Sequence, residues 1–253
     1  MKTGILKVII RSALSLVCLV SLSAQAQMPG AGGPAGMSAA LTKLFGDITA
    51  FSAKATISVV DGSQQEIMST PMDFALLDKK IRVAMDMTQA KNKNMPPNAA
   101  ANLKQMGMAQ VVSIIRPDKK LIYVLYPEQK VLLSMPLPPE EAAAEKTPKL
   151  QKTALGKETL DGHPCVKNKV VFSDDQGQSL EATTWNATDL KDFPILIQTK
   201  EKENTSSIRF KNIQLARPDT KAFDAPSGYT QYNNPQEMMQ GMAKKMMESG
   251  QSK

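Results

Sequence analysis

The sequence predicts a mainly β protein of the α+β class, built on one antiparallel sheet of about eleven strands with helices packed on it. Two observations carry this. Apolar and polar residues alternate in run after run, the period of a half-buried strand. Turn chemistry separates the runs at short intervals, as in a meander that grows one strand at a time. Helical spacing shows in only three places: near the start, in the middle and at the end.

Residues 1–26 read as an export signal. Lys2, Lys7 and Arg11 open it, an apolar run follows, and Ala24 and Ala26 are small residues before a cut at Gln27. The run is shorter than the ~20 residues of a membrane span. Bulky Val17 before Cys18 does not suit an acylated cysteine. The mature chain is therefore expected to start at Gln27, unacylated and soluble, in the periplasm or outside the cell, with no transmembrane segment left. Cleavage takes three basic residues and no acid from a formal charge of +7, and leaves Cys165 as the one cysteine. A lone thiol cannot staple a fold, so the core must hold without disulfides. The remaining basic excess is spread out, which excludes a clustered nucleic-acid patch.

Residues 27–36 (QMPGAGGPAG) are a flexible leader. Residues 37–232 form one β domain, and residues 233–253 a Met-rich helix or tail. Leu41, Leu44, Phe45 and Ile48 share one face of a first helix, with Ser38 placed to cap it. Phe51 to Val59 alternates as a strand, and Asp61-Gly62 turns it. Met68, Met72, Phe74 and Leu76 mark the second strand. Leu77-Asp78-Lys79-Lys80 reverses it, and Ile81, Val83, Met85 and Met87 mark the third. Residues 88–110 interrupt the meander with a Pro96-Pro97 breaker and a short helix, 98–106, capped at Asn98. A connection this long is a lid, a binding loop or a surface excursion.

Strands resume at 111–115, 121–126 and 131–135. The run LIYVLY (121–126) is apolar on both faces, so something covers each side of the sheet there. Tyr123 and Tyr126 point to opposite faces. Residues 136–148 carry four prolines and an alanine-acid run, and read as a linker between two halves of one sheet. Residues 155–198 begin the second half. Asp161-Gly162 is a type I′ hairpin signal, and 175–178 make the next reversal. The last long strand, 205–215, shifts its apolar phase near Lys211-Asn212, which marks a bulge. Asn234-Pro235-Gln236-Glu237 starts a helix that carries Met238, Met239, Met242, Met246 and Met247. Methionines suit an adaptable binding surface; the same helix also reads as a weakly packed tail.

Candidate chemistry is sparse. His163, Cys165, Lys167 and Lys169 share one strand face, which reads as solvated, with Cys165 dispensable. A Cys–His nucleophile needs its imidazole in reach of sulfur and a third group to orient it. One His and one Cys do not fill a zinc site. There is no phosphate-cradling glycine loop and no nucleophile elbow. No enzyme activity, cofactor or metal is expected. Four side chains on strand faces expected to turn inward are candidates for lining an apolar cavity: Phe74, Met85, Leu133 and Trp185.

Phe51-Ser52-Ala53 opening a strand, and DKKLIYVLYPEQK (118–130) in mid-meander, resemble the periplasmic lipoprotein carrier family of the Lol system. LGKE (155–158), GHPC (162–165), Thr184-Trp185 and Phe193-Pro194 are similar to a related group of secreted bacterial proteins of unknown function. Together the likeness spans residues 37–232. It implies an open, half-closed antiparallel barrel, helices plugging its concave face, and acyl chains held there. The 88–110 insertion and the Met-rich tail depart from the family, and no functional residue of the carriers maps onto this chain by position.

Three functions stay open. The first is a binding or carrier protein for an apolar ligand, a lipid or a lipoprotein acyl chain. The second is an envelope interaction protein working through sheet edges or the Met-rich helix, with an envelope protein as partner. The third is an enzyme with scattered residues. A real cavity favours the first, a filled core with an exposed Met stripe the second, and His163 in a cleft with a partner acid the third.

Overall fold

The computed structural model describes residues 39–138, 149–173 and 179–250. The expected export signal, leader, Ser38 cap, most of the linker and the reversal at 175–178 lie outside the described residues.

Three helices are described: α1 (Ala39–Leu44), α2 (Ala99–Gln105) and α3 (Pro235–Gly250). The first meander runs β1 (Ala50–Val60), β2 (Glu66–Leu77), β3 (Lys80–Asp86), β4 (Lys91–Asn92), β5 (Gln110–Arg116), β6 (Leu121–Tyr126) and β7 (Val131–Pro136). The second runs β8 (Lys149–Leu160), β9 (His163–Ser173), β10 (Ser179–Ala187), β11 (Phe193–Glu201) and β12 (Asn204–Gln214), and β13 (Thr230–Tyr232) follows. All belong to one thirteen-stranded sheet, ordered β13-β7-β6-β5-β3-β2-β1-β12-β11-β10-β9-β8, with β4 on β2. The sheet is curved and open. Its pairings are antiparallel except β13 on β7. The two strands beyond the expected eleven are β4 and β13, two and three residues long, too short to show a period.

Local turn chemistry sets the hairpins. Asp78 and Lys79 have φ of 47° and 69°, and Asp161 and Gly162 have 53° and 85°. Two successive left-handed residues match the strand twist, as a type I′ turn requires. Asn212, at φ 51°, marks the expected bulge, where the β1–β12 register slips between Ser52 and Lys54.

Cross-strand partners share a face, so the register defines two surfaces. The core face carries the row Phe74–Val83–Ser113–Val124–Leu133 across β2 to β7. On the other side of β1 it carries Ile57–Ile208–Ile197–Thr184–Asn168–Ala154. Five phenylalanines fill the middle: Phe51, Phe74, Phe193 and Phe210 from four strands, and Phe45 from the turn after α1. Phe45 lies 4.7 Å from Phe51 and 5.3 Å from Phe193, and Phe74 lies 5.6 Å from Phe210, centroid to centroid. Gly46, at φ 57°, ends α1 in the left-handed region that glycine favours and turns the chain into β1.

Toward β7 the apolar surface is covered by protein. The excursion folds back: β4 pairs with Met68 and Ser69, and Leu103 and Met108 pack on the core. Asn98 makes no side-chain cap, contrary to the sequence reading. The end of α2 is the specified one, with Gly107 left-handed and Met108 N–H donating to the Leu103 carbonyl. Asn234 does cap α3, through Glu237 N–H at 2.8 Å. That helix buries Met238 and Met242 and leaves Met239 exposed, so its first turns are docked core rather than a loose tail.

The reverse face of β6 is buried too. Tyr123 and Leu125 join Leu77, Ile114, Leu132 and Phe223 in a second cluster, while Tyr126 faces the main core. Arg116 clamps this cover. It donates to the Phe223 carbonyl at 2.9 Å, to Asp224 at 2.5 Å, and through two nitrogens to Asp118 at 2.9 and 2.8 Å. Ser113 Oγ, buried among apolar neighbours, has no partner among the described residues.

Two outcomes are expected. Phe45→Ala should cost about 3–5 kcal/mol of unfolding free energy, measured by denaturant titration with Trp185 fluorescence as the signal. Hydrogen bonds from Arg116 hold the Asp118 and Asp224 carboxyls below the usual aspartate range. Groups so depressed stabilise the fold above their unfolded pKa and lose that contribution as pH falls through the folded value. Thermal stability should therefore drop below about pH 4, and Arg116→Met should flatten that drop.

Candidate functional site

A cleft of about 670 Å³ opens on the core face beside the phenylalanine cluster. Residues 43–50, the end of α1 and its turn into β1, form one wall. Leu150 and Lys152 of β8, Val170 of β9, and Thr184 and Asn186 of β10 form the floor. Lys191 and Asp192, from the β10–β11 turn, and Leu215 complete the border. The half of the sheet that α2 and α3 leave uncovered thus meets the one wall that α1 provides.

The polar part of the floor is hydrogen-bonded internally. Asn168 Nδ2 donates to Asn186 Oδ1 at 3.0 Å, and Thr184 Oγ1 donates to the same oxygen at 2.7 Å. Asn186 Nδ2 donates to the Asp192 carbonyl at 2.7 Å, which ties the β10–β11 turn to the floor. All three side chains are at most 3% exposed. Buried amides persist only with partners, and here they find them in one another and in the backbone. Sequence reasoning passed over this trio. The available signal was Asn168, which interrupts the apolar phase of Val166, Val170 and Phe172.

The four residues proposed from sequence divide. Phe74 and Leu133 are buried on a single cross-strand row, and Met85 pairs with Met72 on the same face. Trp185 lies on another row, Lys167–Trp185–Leu196–Arg209, which reaches β1 at Thr56, opposite in phase to Ala55 and Ile57. Its Nε1–H donates to Glu158 Oε1 at 2.6 Å, and Lys167 Nζ stands 4.7 Å from its ring centroid. None of the four borders the cleft.

Cys165 is not on a solvated face. It is 3% exposed, within the main core. The reason is tertiary: the short 3₁₀ turn Thr188–Leu190 folds back over the start of β9, with Thr188 Oγ1 donating to the Pro164 carbonyl. The same turn brings Asp189 Oδ2 to 2.7 Å from His163 Nδ1. The thiol itself points to the His163 carbonyl at 3.4 Å, and burial pushes its pKa up. A thiol whose pKa is pushed up is a weaker nucleophile. His163 and Asp189 do not border the cleft. No group of three or more metal-ligating side chains occurs among the described residues.

No family model matches the chain, and no curated protein matches it. Solved structures do. A LolA superfamily protein of Nitrosomonas europaea aligns at TM-score 0.37 and 10% identity, over 72% of this chain and 93% of its own. LprF of Mycobacterium bovis aligns at 0.36 and 14%, over 66% and 86%. The lipoprotein LppX of Mycobacterium tuberculosis aligns at 0.35 and 13%, over 69% and 93%. No described helix is long and apolar enough to cross a membrane.

Cys165 should resist a thiol reagent in the folded protein and react once the chain is unfolded. Cys165→Ser, which puts a hydroxyl in the core, should lose about 1–3 kcal/mol, more than an exposed site would.

Proposed function

We propose that this protein is an exported binding or carrier protein that seats an acyl chain in the cleft between residues 43–50 and the β8–β10 floor. The cleft carries the reading. Its volume, about 670 Å³, falls within the range of small-molecule sites. Leu44, Ile48, Leu150, Val170 and Leu215 supply aliphatic lining, and Thr184 and Asn186 supply polar groups. Phe74 packs against Phe45, and Met85 and Leu133 belong to the same core; a longer chain would reach them only if α1 moved aside. The export signal read in residues 1–26 would deliver the protein to an envelope where acyl chains need a shielded path.

A second reading rests on the edge of the sheet, which has no further strand on it among the described residues. β8 is the last strand of the sheet at its end, and Leu155, at its bulge, is 55% exposed. An open edge is a template for a partner strand, although Lys152 and Lys157 are the kind of residue that guards one. This suits an envelope interaction protein.

The two are separated by lipid extraction and mass spectrometry of protein purified from its native compartment, with titration of a fluorescent fatty acid. The carrier reading expects bound lipid and saturable uptake. Ile48→Trp, which fills the cleft from its half-buried wall, should weaken uptake about tenfold. Absence of lipid and of probe binding would leave the edge-strand reading in its place.

A further inference from the structure

Asn186 borders the cleft with one hydrogen to spare. The residue is 3% exposed, and the rest of its amide is committed. Oδ1 accepts from Asn168 Nδ2 at 3.0 Å and from Thr184 Oγ1 at 2.7 Å, which uses both lone pairs. Nδ2 donates to the Asp192 carbonyl at 2.7 Å. A side-chain amide has two N–H groups, and the second has no acceptor among the described residues.

Two features make this more than a tie between a strand and a turn. First, the amide cannot turn over. Asn168 Nδ2 gives its other hydrogen to the Val166 carbonyl at 3.0 Å. A flipped Asn186 would set its own Nδ2 against that committed donor, and its Oδ1 against the Asp192 carbonyl. The spare N–H therefore has one direction, fixed by partners on β9, on β10 and in the β10–β11 turn. Second, buried polar groups keep partners. Among the described residues, Ser113 Oγ is the one buried side-chain N or O atom with no hydrogen bond at all. An unmet N–H beside open space is thus suited to what enters that space. Leu44, Ile48 and Leu150 share the lining, so the donor fits an acceptor carried on an aliphatic chain.

Resting on the carrier reading, we propose that Asn186 selects the linkage of the bound chain: its spare N–H donates to the carbonyl oxygen of an acyl ester or amide, whose aliphatic part lies against Leu44, Ile48 and Leu150. An ether or a plain alkyl chain offers a poor acceptor or none. Asn168, Thr184 and Asn186 carry no charge, so a carboxylate drawn down to them would lose water without a countercharge. Thr184 and Asn168 are positioning residues, which act by holding the amide of Asn186.

The test is displacement of a fluorescent fatty acid from the full chain by methyl dodecanoate, N-methyldodecanamide and dodecyl methyl ether, which share one chain length. The ester or the amide should displace the probe at a concentration about fivefold below that of the ether, and the stronger of the two names the linkage. Asn186→Asp removes the N–H at nearly constant volume and should shrink the gap to less than about twofold. Where thermal melting shows that this variant does not fold, the Thr184 pair decides: Thr184→Val, which frees the amide, should narrow the gap to about twofold, and Thr184→Ser, which keeps the hydroxyl, should preserve it. A merely structural role would weaken all three ligands alike and leave their ratio unchanged. Equal displacement by the ether, or a gap that survives the deciding substitution, overturns the role of Asn186 and leaves the carrier reading standing. Failure of the fluorescent fatty acid itself to bind overturns both.

Discussion

Packing of five phenylalanine rings around the β1–β12 seam is the constraint on which the rest depends. Two meanders, one before the linker and one after, meet at that single pairing. Its register slips at one end, so backbone hydrogen bonds alone hold it loosely there. Phe51 and Phe74 come from the first meander, Phe193 and Phe210 from the second, and Phe45 caps all four from the turn after α1. Each large ring buries apolar area on both sides of the seam. Forming a sheet of such long-range contacts is costly in chain entropy, and this cluster helps offset it.

The same cluster divides the core face. Toward β7, protein covers everything: the excursion brings Leu103 and Met108, and α3 brings Met238 and Met242. Toward β8, α1 is too short to reach across, and the floor changes from aliphatic rows to the Asn168, Thr184 and Asn186 trio. A floor and a wall that each mix polar with apolar side chains make a poor core and a good site. The apolar surplus that suggested a ligand from sequence is met mostly by the chain itself. What remains open is a smaller and more polar cleft than the alternation of strands implied.

Arg116 shows the same economy on the reverse face. A guanidinium buried beneath the segment that carries Phe223 would destabilise the fold if left alone. Asp118 and Asp224, with the Phe223 carbonyl, satisfy it and fasten that segment over β6. LIYVLY is apolar on both faces because both faces are indeed covered, one by the core and one by this strapped segment.

Strand positions, the Asp-Gly and Asp-Lys turns, the Asn212 bulge and the Asn234 cap were legible in the sequence because each depends on a few adjacent residues. Period, φ preference and side-chain capping act over one turn or one strand. Cys165 was misread because its cover comes from Thr188–Leu190, more than twenty residues on, and no local pattern announces that fold-back. The cleft was missed for the same reason. Asn168 and Asn186 are 18 residues apart and meet only when β9 pairs with β10; Lys43 and Lys191 border one cleft only when α1 lies over the second meander. The sequence by itself determined the strands, their order as hairpins and the apolar faces. Tertiary structure alone decided which face is covered by what, where the unfilled space falls and which charges border it, because those depend on contacts between residues that the chain brings together only once the sheet has formed.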